Sequence, residues 1–174
     1  MSRRSRRHLG RALAAVLGPA WLAAPISAGM MPVPAAAAAS ARNPIDVLSD
    51  GSASDRARQE AADELILRAD EAMVRDAMTR ELARPVAGSG GGRYILNAIS
   101  RSADPSARLF PILTQRVQVS APDELPPLLD ALASFRSRDA ARLILLHCDD
   151  RGNEGVAPAA FAALRRLTGR DDLP

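Results

Sequence analysis

The sequence predicts an all-α protein, a short α–α solenoid of stacked helical hairpins. Three observations predict it. Residues 54–83 hold no glycine or proline. No segment sustains the alternation of apolar and polar residues that marks a strand. An apolar pattern built around a small alanine returns at steps of 33 and 32 residues.

The N-terminal 41 residues stand apart. The chain has 174 residues and a net charge of +3, and all 23 basic residues are arginine. Five of them precede residue 12, and no acid occurs before Asp46. Residues 42–174 hold 18 Arg against 20 acids, a balance of −2. The basicity therefore belongs to the leader, and the remainder offers no basic face for nucleic acid. From 12 to 41 there is no charged residue. A basic start, an apolar middle and a small-residue end make a secretory signal. Ala39-Ser40-Ala41 fits the A-x-A cleavage rule at Ala39 and Ala41, which makes Arg42 the first mature residue. "SRRHLGR" (5–11) resembles the twin-arginine export motif through Ser5, Arg6, Arg7, Leu9 and Arg11, with Gly10 departing from it. A general secretory signal with an arginine-rich start and an uncleaved membrane anchor are the alternatives. A span needs about 20 apolar residues, but Pro19, Pro25, Pro32 and Pro34 interrupt this one. The expected location is the periplasm or cell envelope. Cys148 is the one cysteine, so no internal disulfide is available there.

Residues 42–53 read as a linker, because Pro, Gly, Ser and Asp cluster without periodicity. A helical domain fills 54–174. Its first helix is expected to run from Ser54 to Ala83. Acid–base pairs four apart (Glu64–Arg68, Glu71–Arg75, Asp76–Arg80) support one face, and Leu65, Ala69, Ala72, Met73, Ala77 and Leu82 form the other. Pro85 and "GSGGG" end it. A helix follows over Arg93–Ser100. Asp104-Pro105 opens another to Val119, with Pro111 expected to kink it. "SAPD" (120–123) has capping-box spacing and opens one ending near Phe135. Ser137 and Asn153 are candidate caps of the last two, and Gly169 is the left-handed terminator.

Three of these helices overlay. Leu96, Ala98 and Ile99 match Leu129, Ala131 and Leu132, and then Phe161, Ala163 and Leu164. "ARL" at 107–109 returns at 141–143. A lone helix pair leaves an apolar side uncovered, and the next pair covers it. On these residues, and on "PAAFAALRRLTGRDD" (158–172), the chain from about Ser54 resembles bacterial exported HEAT-repeat, armadillo-like proteins of planctomycete-like genomes. Such repeats usually run somewhat longer. The resemblance implies a non-catalytic scaffold that binds a protein or peptide.

Candidate chemistry is thin. "GSGGGR" (88–93) has no lysine to complete a Walker loop and reads as a linker. "HCDD" (147–150) sets His147 beside Cys148, but neighbours on a helix point about 100° apart and make no dyad. Asp63, Glu64, Asp70 and Glu71 are interleaved with arginine, as on a solvated face. Arg136, Arg138, Arg142, Arg165, Arg166 and Arg170 suit ordinary surface charge or an acidic partner. No catalytic, cofactor or metal residue is nominated, and no cofactor is expected. A small exported enzyme or cofactor carrier is the second reading, and a membrane-anchored accessory subunit of an envelope complex the third.

Overall fold

The Asn43 side chain caps the first helix by accepting the Ile45 N–H at 3.1 Å. This computed structural model describes residues 42–172 apart from 87, 89 and 151. Eight α-helices and no strand occur among the described residues. The segment 42–53, expected as a linker, instead holds helix α1, Pro44–Ser49. Proline suits a first turn, and Leu48 is driven into the core, where it is fully buried. The buried Arg58 holds α1 in place. Its Nε donates to the Leu48 carbonyl at 3.1 Å, and its guanidinium lies 4.8 Å from the centre of the Tyr94 ring.

The expected thirty-residue helix is two helices, α2 (Asp55–Leu67) and α3 (Ala72–Leu82). No breaker separates them. The apolar stripe slips phase instead. Ala62, Leu65, Ile66 and Ala69 are buried, and an unbroken helix would carry that face on to 73, 76 and 80. Those positions are Met73, 79% exposed, and the charged Asp76 and Arg80. The stripe restarts at Val74, Ala77, Met78 and Leu82, all buried. Arg75 then donates to the Ala69 and Asp70 carbonyls at 3.4 and 3.2 Å, satisfying groups that the end of α2 leaves open. It does not pair with Glu71, which binds Arg68 at 2.9 Å. Arg80 likewise donates to the Asp76 carbonyl rather than the carboxylate.

Helix α4 spans Gly92–Arg101. A 3-10 turn, Ala107–Leu109, leads into α5, Phe110–Val119. Ser106, not Asp104, caps that turn. Pro111 sits in the first turn of α5, where its missing N–H costs nothing, so no kink forms. The "SAPD" stretch makes no side-chain cap. A second 3-10 turn, Pro122–Glu124, precedes α6, Leu125–Ala133, and the Ser120 hydroxyl is buried without a partner. Ser137 caps α7, Arg138–Leu145, accepting the Ala140 N–H at 3.1 Å. Asn153 does not cap α8, Val156–Thr168. Its side chain donates to Asp150 at 3.0 Å, and Gly155, at φ 95°, makes the entry. Gly169, at φ 66°, ends α8 as expected.

The even helices pack in order, α2 on α4, α4 on α6 and α6 on α8. Cross-helix bonds fix their direction. Arg93 binds Asp55 at 3.0 Å near the starts of α4 and α2, and Arg101 binds Asp63 at 2.7 Å eight residues later on both. Two bonds at one offset require parallel helices. Arg166 of α8 binds Asp130 of α6 at 2.5 Å. Ala98, Ala131 and Ala163 are buried, as are Leu96, Ile99, Leu129, Leu132 and Leu164. Small alanines permit close approach, and each fully buried leucine or isoleucine contributes about 1.5–3 kcal/mol. Phe161, the third member of the first column, is only half-buried. The odd helices lie over this row: α3 on α4, α5 on α6, and α7 on both α6 and α8. Phe110 and Phe135 meet edge to face at 5.4 Å beside α5.

Candidate functional site

The glycine-rich loop is clamped by two buried glutamates. Glu81 accepts the Gly91 N–H at 2.8 Å, the Ser49 hydroxyl at 3.2 Å and the Arg84 guanidinium at 2.9 Å. Glu124 accepts the Val86 N–H at 2.9 Å and Arg116 at 2.6 Å. A carboxylate thus occupies the Gly91 amide that a phosphate would need, and repels a phosphate there. At Gly91 a side chain would meet Leu48 Cγ at 2.6 Å. These contacts make the loop a structural joint.

The other sequence candidates are accounted for by their neighbours. Asp63 binds Arg101, Asp70 accepts the Ser106 hydroxyl at 2.8 Å, and Glu64 lies 3.7 Å from Arg68. Asp63 and Asp70 serve different partners and do not form a pair. Burial, then the Asp149 charge, pushes the Cys148 thiol up, the opposite of what a nucleophile needs. Its Sγ lies 3.8 Å from the Ile144 carbonyl. Among the arginines, Arg142 faces Asp139 at 3.5 Å, Arg166 binds Asp130, and Arg170 binds Asp172 at 2.6 Å. Among the described residues no group of three or more His, Cys, Asp or Glu is placed to hold a metal. No described helix is long and apolar enough to cross a membrane. Arg6, Arg7, Ala39 and Ala41 lie outside the described residues.

Concavities at three places bear on function. One of about 580 Å³ lies at the ends of α2 and α4, between Leu67, Asp70, Pro105, Arg108 and Phe135. Its wall is half polar, and Asp70 and Arg108 already face each other at 3.6 Å. A second, about 310 Å³, lies on α8 around Pro158, Phe161 and Arg165. The third is a groove of about 220 Å³ between α3 and α5. Leu82 and Ala83 form its α3 wall, with Thr79 at one end. Ile112, Gln115, Arg116 and Val119 form the α5 wall. These four are spaced i, i+3, i+4, i+7, one face of a helix. The Arg116 Nη2 donates to the Arg84 carbonyl at 3.4 Å, which ties α5 to the residues just past the end of α3.

The α3–α5 groove is walled mostly by apolar side chains. Val119 is 69% exposed at its rim. The volume lies below the ~300 Å³ at which small-molecule sites begin, and an apolar cavity of about 150 Å³ takes one benzene-sized group. The groove therefore suits side chains, not a metabolite. Among its polar side chains Thr79 and Gln115 can donate or accept, and Arg116 only donates. The Arg116 Nε is buried without a partner, and Nη1 makes no hydrogen bond with the described residues, while Nη2 serves Glu124 and Arg84. The stripe 112–115–116–119 was readable from spacing. Its being uncovered was not, because that depends on how far α5 stands from α3.

No family model, no curated protein and no solved structure matches the chain.

Proposed function

We propose that the chain is an exported, non-catalytic scaffold, an α–α solenoid that binds a protein or peptide partner through its stacked helices. The observation that carries this is the groove between α3 and α5, an apolar helical face left uncovered above a close-packed row of parallel helices. The row supplies rigidity, and the uncovered face supplies a place for apolar side chains. The Arg116 guanidinium lines the groove with its Nε unpartnered, so the partner segment is apolar and carries a hydrogen-bond acceptor. The cross-helix bonds 32 to 38 positions apart support the solenoid reading, since each links equivalent helices of successive pairs. Arg6 and Arg7 as an export motif, with cleavage after Ala41, support a periplasmic or envelope location.

The test is capture by a tagged full-length chain from its host's envelope fraction, compared with Val119→Arg. Val119 is exposed, so the variant keeps the fold, which circular dichroism checks. A partner, including an untagged copy of the chain, retained by the parent and lost by the variant supports the reading. The same proteins on both, or none on either, overturns it.

A further inference from the structure

We propose that the α3–α5 groove takes an uncharged, extended segment of a protein partner. One large apolar side chain seats in the groove, and the neighbouring peptide unit bridges its walls. The inference rests on the scaffold reading and names the chemistry of its partner. Size sets the side chain. An apolar cavity of about 150 Å³ takes one benzene-sized group, and this groove holds about 220 Å³. That is room for one leucine or phenylalanine. Val119, exposed at the rim, adds apolar surface beside the entrance.

Charge selects against an acidic segment. Arg116 is the one ionisable residue among those lining the groove. Its charge is already answered, because Nη2 meets Glu124 Oε2 at 2.6 Å with the two side chains only 14% and 11% exposed. The other oxygen of Glu124 accepts the Val86 N–H at 2.9 Å, which fixes the carboxylate in place. A second carboxylate brought to Arg116 would lose its water in an apolar wall and meet a cation that Glu124 has neutralised. A main-chain carbonyl costs far less to desolvate and asks only for a donor. Glu124 is therefore the residue that sets this specificity, acting through Arg116.

The hydrogen-bonding groups of the two walls match one peptide unit. On α3, the Thr79 hydroxyl gives its hydrogen to the Arg75 carbonyl at 2.8 Å. It is left with lone pairs and accepts from a ligand. On α5, Arg116 only donates, and the exposed Gln115 amide carries two further N–H groups. An acceptor on one wall and donors on the other suit the N–H and the C=O of a peptide. In such recognition the main-chain bonds supply affinity and the side-chain pocket supplies specificity.

The test is amide-shift NMR of the nitrogen-labelled full-length chain, titrated with two N-acetylated, C-amidated pentapeptides. One is Ser-Ala-Leu-Ala-Ser and the other Asp-Ala-Leu-Ala-Asp. The neutral peptide is expected to move the amides of 79–83 and 112–119 and to bind about tenfold tighter than the acidic one. Its affinity is expected to change less than about twofold over a tenfold rise in salt, since no exposed ion pair forms. Glu124→Gln keeps an acceptor for Val86 and removes the charge that answers Arg116. That variant is expected to prefer the acidic peptide, with its shift dispersion reporting the fold. The comparison on the parent chain stands without it. Equal or tighter binding of the acidic peptide by the parent, or a strong salt dependence, overturns the neutral occupant and leaves the scaffold reading intact. Groove shifts from neither peptide, with a partner still captured through Val119, overturn the extended segment and leave a folded surface, such as a second copy, as the occupant. No shifts and no such capture overturn both.

Discussion

The Ser134 hydroxyl donates to the main-chain carbonyl of Ser100 at 3.1 Å, across 34 positions of sequence, in a buried site. It also accepts from Arg166 at 3.2 Å. One oxygen therefore links α4, α6 and α8 at the same end of the row. Removing it leaves a buried carbonyl without its donor, which costs about 1–3 kcal/mol. Ser134→Ala is expected to lower the unfolding free energy by that amount, read as a lower urea midpoint with an unchanged slope. A midpoint equal to the parent's would mean that the row is not held at this end.

Gly91→Ala tests the joint between α1 and the glycine loop. The new Cβ would stand 2.6 Å from Leu48 Cγ, and Leu48 is buried on all sides. Overpacking of this kind costs about 1–3 kcal/mol. The expected result is a lower Tm, with amides of 44–49 exchanging faster than those of α4 or α6. Uniform exchange would place the strain elsewhere.

Acid acts through the Asp55 carboxylate. The Tyr94 hydroxyl, donating at 2.6 Å, and then the Arg93 charge hold it below the ordinary carboxylate range. A lowered folded pKa gives stability that is present above the unfolded value of 3.8 and lost as pH falls through the folded one. Tm is therefore expected to fall below about pH 4, and Asp55→Asn to flatten part of that fall. Asp50, Glu71 and Asp172 are lowered too, by Ser52, Arg68 and Arg170 respectively, so some slope remains in the variant.

Cys148 is expected to alkylate slowly. Burial and the neighbouring Asp149 raise its thiol above the ordinary value, and the thiolate is the reactive form. Iodoacetamide at neutral pH should modify it more slowly in the folded protein than in urea. Equal rates would contradict the partly buried setting.

Local chemistry made several elements legible in the sequence. Ser137 caps α7 and Gly169 ends α8 because each acts on its own turn. The alanine columns at 98, 131 and 163 announced the row of packed helices. What failed needed a partner to be seen. Leu48 gives α1 its reason to fold, but only against Arg58 and Gly91, ten and more than forty residues away. The break at 68–71 was written in the phase of the apolar stripe rather than in a glycine or proline. Asn153 has capping chemistry, and Asp150 took its side chain first. The groove follows from the separation of α3 and α5, which no short stretch encodes.

The most direct measurement is photo-crosslinking in the living host from a benzophenone side chain at Gln115, in the groove, and at Asn97, on the opposite layer. Both positions are exposed. A scaffold that binds through α3 and α5 predicts a discrete protein adduct from 115 and none from 97. Adducts of equal yield from both, or from neither, would contradict it.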